Sequence, residues 1–321
     1  MMRRILITGG FGYVGSRLAQ FLSSYANYEI LLGTRRQLPP PLWLPNATVV
    51  QTPWNSLTGL EKTCSDVDMI VHLAGMNAQD CAADSAMALE VNAVATARLL
   101  QAAVRQKVKR FICLSTIHTY GNPLAGVISE DTFPVPVHPY AFSHRAGEDA
   151  VRASHNSGEI EGIVVRLSNA YGAPAYKNAN CWMLLVNDLC RQAATSGKLK
   201  LHTSGLQRRD FISILDVARG IKHFMELPLD KCGPGLFNLG GEASYYVIDL
   251  AKLIAVRCEA VLGFKPEIER PEPKPDEKSL ELDFRIDRLK ETGFCLSGDI
   301  VIEIDVTLKF CHETFGESSL L

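Results

Sequence analysis

The chain has 321 residues, with 33 lysines and arginines against 35 aspartates and glutamates and a formal net charge of −2. That length exceeds one minimal core and fits two small lobes or one large α/β domain. The balanced charge leaves no basic stripe for a phosphate backbone, so nucleic acid is not an expected partner.

In chain order, residues 4–8 (RILIT) form a short apolar run with the composition of a buried strand. A glycine-rich turn follows, and residues 16–25 then show helical spacing, with Leu18, Phe21 and Leu22 on one face. Residues 29–32 (EILL) read as the second strand, and Gln37–Pro45, with four prolines, as a loop. Residues 68–73 (DMIVHL) are another buried strand, 84–106 a long Ala-rich helix, and 110–115 (RFICLS) a further strand. A helix from Tyr140 to about His155 precedes strand 162–167 (GIVVRL). Apolar strands alternating with amphipathic helices predict right-handed crossovers and a parallel sheet covered on both faces.

The pattern loosens after Tyr171. Residues 172–210 mix a helix with polar loops, and the Pro- and charge-rich stretch 265–279 predicts no regular element. The expected fold is therefore α/β, a Rossmann-type doubly wound parallel sheet with a smaller discontinuous α/β lobe. The expected division is a dinucleotide-binding domain over 1–171, also receiving roughly 211–250, and a mainly substrate-binding lobe over 172–321. The nine cysteines are scattered, with no CxxC pair and no His/Cys cluster at zinc spacing. They predict a reducing compartment and no metal site. The short apolar N-terminal run opens directly into the glycine turn, so neither a signal peptide nor a membrane span is expected, and the location is read as cytoplasmic.

The turn is Gly9-x-x-Gly12-x-x-Gly15, after a strand and before a helix. The first glycine allows the tight turn, the second lets the backbone approach a pyrophosphate, and the third lets helix and strand pack closely. A site preferring NAD is expected to carry a carboxylate at the end of the second strand. Here that strand ends in Thr34-Arg35-Arg36. Guanidinium groups suit a 2′-phosphate, so the expected cofactor is NADP(H), with NAD(H) second.

Three further segments complete the pattern. They are Ser115-Thr116 at a strand end, followed by Ile117-His118-Thr119-Tyr120-Gly121; Tyr140-Ala141-Phe142-Ser143-His144 at a helix start; and Arg166-Leu167-Ser168-Asn169-Ala170-Tyr171-Gly172. With the glycine loop, Asp68–Gly75, Asn92, Arg209–Val217 and Phe237–Gly240, they resemble the extended short-chain dehydrogenase/reductase family of sugar-nucleotide epimerases, dehydratases and reductases. The resemblance runs over most of the chain.

It implies a hydroxyl–tyrosine–cation catalytic set, carried here by Thr116, Tyr140 and His144. It also implies cofactor contacts from Gly9, Phe11, Gly12, Tyr13, Val14, Gly15, Arg35, Arg36, Leu73, Ala74, Gly75, Asn92, Leu114 and Leu167, together with Tyr140 and His144. Thr116, Asn169, Arg209 and, more weakly, Arg270 would contact a nucleotide-sugar substrate, and a homodimer would form through the helices after Asp84 and after Tyr140. One position departs from the family: the lysine four residues after the tyrosine is His144. Residues i and i+4 share a helix face, so His144 occupies the lysine's direction, whereas Arg145 faces elsewhere. An imidazole carries only partial charge at neutral pH.

Family dehydratases place an acidic pair just after the catalytic threonine, where this chain has Ile117 and His118, so 4,6-dehydration is disfavoured. The arginine pair favours an NADPH-dependent reductase of a nucleotide-linked 4-keto-6-deoxy sugar, with Tyr140 as proton donor and Thr116 stabilising the developing alkoxide. A nucleotide-sugar epimerase is the alternative. A catalytically weak dinucleotide-binding sensor or partner protein is the reading of another class. His118 carries a further possibility, a second proton donor, against a structural histidine beside a strand end.

Overall fold

A computed structural model describes residues 2–316. Its frame is a seven-stranded, all-parallel sheet. The first five strands are β1 (Arg3–Thr8), β2 (Tyr28–Thr34), β3 (Thr48–Gln51), β4 (Met69–His72) and β5 (Arg110–Thr116). Strands Glu161–Leu167 and Leu236–Leu239 complete it, in the order 236–239, 161–167, β5, β4, β1, β2, β3. Ile5, Leu6, Ile7, Ile70, Val71, Phe111, Ile112, Ile163, Val164 and Val165 are fully or almost fully buried. A parallel sheet covered by helices on both faces requires such continuous apolar strands.

The order of strand addition reverses between β1 and β4, with β2 and β3 on one side of β1 and β4 and β5 on the other, which makes the crevice outside their carboxyl ends the topological switch point where α/β sheets take ligands. Thr8 is in register with His72 there, and Thr116 with Leu167. Buried His72 bonds on both sides, Nδ1 to the Thr8 hydroxyl at 2.7 Å and Nε2 to the Thr96 hydroxyl at 2.9 Å.

The Ala-rich segment is helical, yet it is not one regular helix. Short helices Ala78–Ala83 and Ser85–Leu89 lead into a wider π turn, Glu90–Val94, before α-helix resumes over Ala95–Arg105. Asn92 lies in that turn, and its carbonyl accepts the Thr96 hydroxyl at 2.7 Å. Side-chain competition for a backbone acceptor accompanies such local widening, and π turns concentrate at functional positions.

The remaining elements form a second lobe. Strands Asn169–Tyr171, Arg208–Ser213 and Ser244–Tyr246 make a small mixed sheet. Helices Leu185–Ser196, Val247–Leu262 and Ile300–Phe315 share an apolar core around Leu189, Leu250, Ile254, Ile304 and Leu308. The Pro-rich stretch 265–279 contains one regular piece that its composition hides: Glu267–Glu269 pairs in parallel with Lys198–Lys200. Three residues suffice because partner carbonyls, not propensity, hold the strand. The sequence reading also missed β3 and the helix Leu57–Thr63. All nine cysteines are free thiols, eight of them buried, and no helix among the described residues is long and apolar enough to cross a membrane.

Candidate active site

The glycine loop joins β1 to the helix α1 (Tyr13–Ser23). Gly9 has φ +67°, and a Cβ on it would lie 2.8 Å from the Ala74 nitrogen. A Cβ on Gly15 would meet the Gly9 carbonyl oxygen at 2.3 Å, so helix and strand approach as only glycine permits. Gly12 stands at the N-cap of α1 with no side-chain cap, leaving first-turn N–H groups for an anion. The loop therefore fits a dinucleotide pyrophosphate. Tyr13, by contrast, turns its side chain inward, donating to the Gly172 carbonyl at 2.9 Å.

Thr116 ends β5, and Tyr140 opens the helix Pro139–Asn156. His138 caps that helix, its Nδ1 accepting the Ala141 N–H at 3.3 Å, and Pro139 occupies the first turn where a missing N–H costs nothing. The Thr116 side chain lies close enough to the Tyr140 hydroxyl to favour its ionised form. Burial raises the Tyr140 pKa, and Thr116 offsets this only in part. His144, one turn on, presents its ring edge to Tyr140 with centroids 4.6 Å apart. Burial lowers its pKa to about 4, so at neutral pH it is an uncharged imidazole. No lysine-like charge is supplied at this position.

His144 also reaches the cofactor side. A Cβ on Gly75, just beyond β4, would lie 3.5 Å from its Cε1 and 3.3 Å from Asn92 Oδ1. Asn92 Oδ1 accepts the Met76 N–H at 2.8 Å, and its Nδ2 donates to the Ser143 hydroxyl at 3.0 Å. The π turn thus holds the backbone after β4 against the helix that carries Tyr140 and His144. Gly147 allows the close approach, since a Cβ there would sit 2.6 Å from the Asn92 carbonyl oxygen.

Glu148 is the residue that sequence reasoning missed. Fully buried, it pairs with Arg166 at 2.6 Å and accepts the Ser115 hydroxyl at 2.5 Å. Residues 140, 144 and 148 recur every four positions, so this pair sets the rotation of the catalytic face of the helix against the end of β5. The i+4 spacing from His144 is the signal by which it could have been found. Arg145 pairs with Asp149 at 2.9 Å.

Among the remaining candidates, Leu73, Ala74, Leu114 and Leu167 line the ends of their strands, partly or wholly buried. Asn169 Nδ2 donates to the Asp210 carbonyl at 2.8 Å. Arg209 is exposed, while Asp210 accepts the Gly241 and Ala243 N–H groups at 2.9 and 3.2 Å. Arg270 donates to the Ser204 carbonyl at 2.5 Å within the second lobe, and no contact joins it to Asn169 or Arg209. Arg35 and Arg36 are exposed in the loop after β2.

The family model described as "NAD dependent epimerase/dehydratase family" matches residues 5–240. A dTDP-glucose 4,6-dehydratase of Streptomyces niveus is 27% identical over 270 residues, covering 80% of this chain and 78% of that one. The solved structure of TunA, an NAD-dependent NDP-hexosamine 5,6-dehydratase, is 27% identical with a TM-score of 0.78, covering 97% of this chain and 98% of that one. A UDP-glucuronic acid 4-epimerase from Bacillus cereus in complex with NAD shares the fold at 22% identity and a TM-score of 0.79, covering 97% of this chain and 96% of that one.

These relatives correct two expectations. They are named dehydratases and epimerases, not ketone reductases, and the two solved ones are described with NAD, not NADP. The expectation rested on Arg35 and Arg36, which are exposed in the loop after β2 and are as readily solvated there as paired with a phosphate. An arginine pair at a strand end is weaker evidence of cofactor choice than the sequence argument made it.

Proposed function

The chain belongs to the NAD dependent epimerase/dehydratase family, and on that premise we propose that it is an NAD-dependent nucleotide-sugar epimerase. The observation that carries this reading is the hydroxyl pair of Thr116 and Tyr140, beside the glycine loop at the switch point of the sheet. NAD, when bound, supplies a hydride acceptor and donor for one sugar carbon.

The chain's own residues do the rest. The loop Gly9–Gly15 and the free N-terminus of α1 hold the pyrophosphate, and Gly75, Asn92 and His144 border the adjacent part of the cofactor. Thr116 and Tyr140 hold the reacting sugar oxygen between them, and Tyr140 takes its proton and later gives it back. The neutral His144 positions by hydrogen bonding, without driving Tyr140 to phenolate. Asn169 and Arg209 are assigned to the substrate diphosphate. The seven-stranded unit is assigned to the cofactor and the second lobe to the substrate.

The test is conversion of UDP-glucose, UDP-glucuronate and dTDP-glucose by the NAD-loaded protein, followed by chromatography. Tyr140→Phe is expected to slow conversion by ~100-fold or more, with NAD affinity by calorimetry unchanged. Intact NAD binding with no conversion of any of the three would overturn the reading in favour of a non-catalytic dinucleotide-binding protein. A homodimer is part of the same proposal, since Met87, Leu89 and Val94 leave 47, 40 and 37% of their surface exposed along one helical segment. Sedimentation of a monomer alone at micromolar concentration would remove it.

A further inference from the structure

The two lobes meet at the glycine loop through three aromatic side chains. Trp43, in the Pro-rich loop after β2, stacks on Tyr176, with ring centroids 5.8 Å apart and planes at 6°. Tyr176 lies in the second lobe, in the loop that follows strand Asn169–Tyr171. Phe11, inside the glycine loop, meets the Trp43 ring edge-on at 6.0 Å and 76°. The Tyr176 hydroxyl closes the circuit by donating to the Phe11 carbonyl at 2.5 Å, across 165 residues of chain. Burial raises the Tyr176 pKa while the charge of Arg36 pulls it down, so the hydroxyl stays protonated and able to donate.

A second link between the same two regions is of a different kind. Tyr13 donates to the Gly172 carbonyl at 2.9 Å, and the Asn187 side chain bonds both the N–H and the carbonyl of Gly172, at 3.0 and 2.8 Å. All three residues are buried, so this link is a fixed joint. The aromatic circuit is instead only half-buried and is made by two loops. Leu44 anchors the foot of the Pro-rich loop in the core, while Leu42, beside Trp43, is wholly exposed. Parting the Trp43 and Tyr176 rings breaks one stack and leaves the buried joint intact. Few buried contacts and exposed loop backbone are the marks of a segment that opens locally.

A dinucleotide places its pyrophosphate at the first strand–helix turn and its adenosine ribose at the end of the second strand. Phe11 belongs to the first of these places and Arg36 to the second, and Tyr176 is beside both. Resting on the NAD site proposed above, we propose that Trp43 and Tyr176 form a clasp that parts to admit or release the dinucleotide, so that these two rings set the rate of NAD exchange. The rings hold each other and the Phe11 carbonyl. Opening is therefore required in both directions, and loosening the clasp speeds entry and exit alike while the affinity of the site is kept.

The test mixes protein loaded with NADH with an excess of NAD and follows release by nicotinamide fluorescence in stopped flow. The dissociation constant for NADH is titrated separately. Trp43→Ala is expected to speed release by about 10-fold, with the dissociation constant nearly unchanged. Trp43→Phe keeps a ring on Tyr176 and is expected to restore slow release. Tyr176→Phe keeps the stack, loses the bond to Phe11 and is expected to fall between, carrying the same test with a smaller change of volume. Trp43→Ala combined with Tyr176→Ala is expected to release NADH no faster than either alone, because the two rings act as one unit. A dissociation constant that rises as much as the release rate would overturn the clasp, since the rings would then hold the dinucleotide directly. Unchanged release in Trp43→Ala, by a protein that converts nucleotide sugars, would remove the clasp and leave the epimerase reading. Release that depends on Trp43, by a protein that converts none of the three sugars, would remove that reading and leave the clasp.

Discussion

The imidazole of His144 stands edge-on to the phenol of Tyr140, with ring centroids 4.6 Å apart and planes at 72°. This contact replaces a cation with a neutral ring, because burial lowers the His144 pKa to about 4 and raises that of Tyr140. A proton-accepting tyrosine then works against its own environment. A lysine at 144 places a charge beside the phenol and favours the phenolate. His144→Lys is therefore expected to move the acid limb of the kcat profile to lower pH by about one unit or more, since an opposite charge within a few ångströms shifts a pKa by ~1–3 units. A pH–rate series on both proteins checks this, and an unmoved limb would mean that Tyr140 is not the titrating base.

The buried pair Glu148–Arg166 yields a prediction about stability. Removing one partner strands the other charge in a dry interior, so Glu148→Gln or Arg166→Met is expected to cost ~3–5 kcal/mol. The double replacement Glu148→Leu with Arg166→Met is expected to recover much of that loss. Urea unfolding of the three variants measures it. Because Glu148 also accepts the Ser115 hydroxyl beside Thr116, the double variant is expected to regain stability without regaining kcat.

His72 makes stability depend on pH. Its pKa is lowered to about 3, first by burial and then by His144. An unfolded histidine titrates near 6.5, so between pH 6.5 and about 3 the unfolded chain binds a proton that the folded chain does not. Stability is therefore complete above pH 6.5 and is lost as pH falls through that window, by ~2 kcal/mol at pH 5 from this residue alone. Urea midpoints at pH 7.5 and pH 5 are expected to differ in that direction, and the difference is expected to shrink in His72→Asn.

The alternation of strands and helices and the glycine loop were legible in the amino-acid order because each rests on local spacing, whereas Thr116 and Tyr140 were implied by the family resemblance. A buried parallel strand has to be an apolar run, a pyrophosphate turn has to place glycines at fixed intervals, and i to i+4 has to share a helix face. That spacing also located His144 where a cation belongs. It could not say that burial leaves His144 uncharged, because desolvation is set by packing from distant segments.

Adjacent residues meet different surroundings for a related reason. Arg209 and Asp210 follow one another in the chain, yet Asp210 accepts two N–H groups from residues 241 and 243 while Arg209 faces solvent. Neighbours in a strand point to opposite faces. The tertiary structure alone joined Glu148 to Arg166 and brought His118, His138 and Tyr140 to one crevice. Glu148 and Arg166 stand 18 residues apart, and the crossover from β5 through the helix Pro139–Asn156 into strand Glu161–Leu167 makes neighbours of these groups. The amino-acid order determined a dinucleotide fold, and the packing of the strand ends decided which side chains surround Tyr140, because those contacts join segments far apart in the chain.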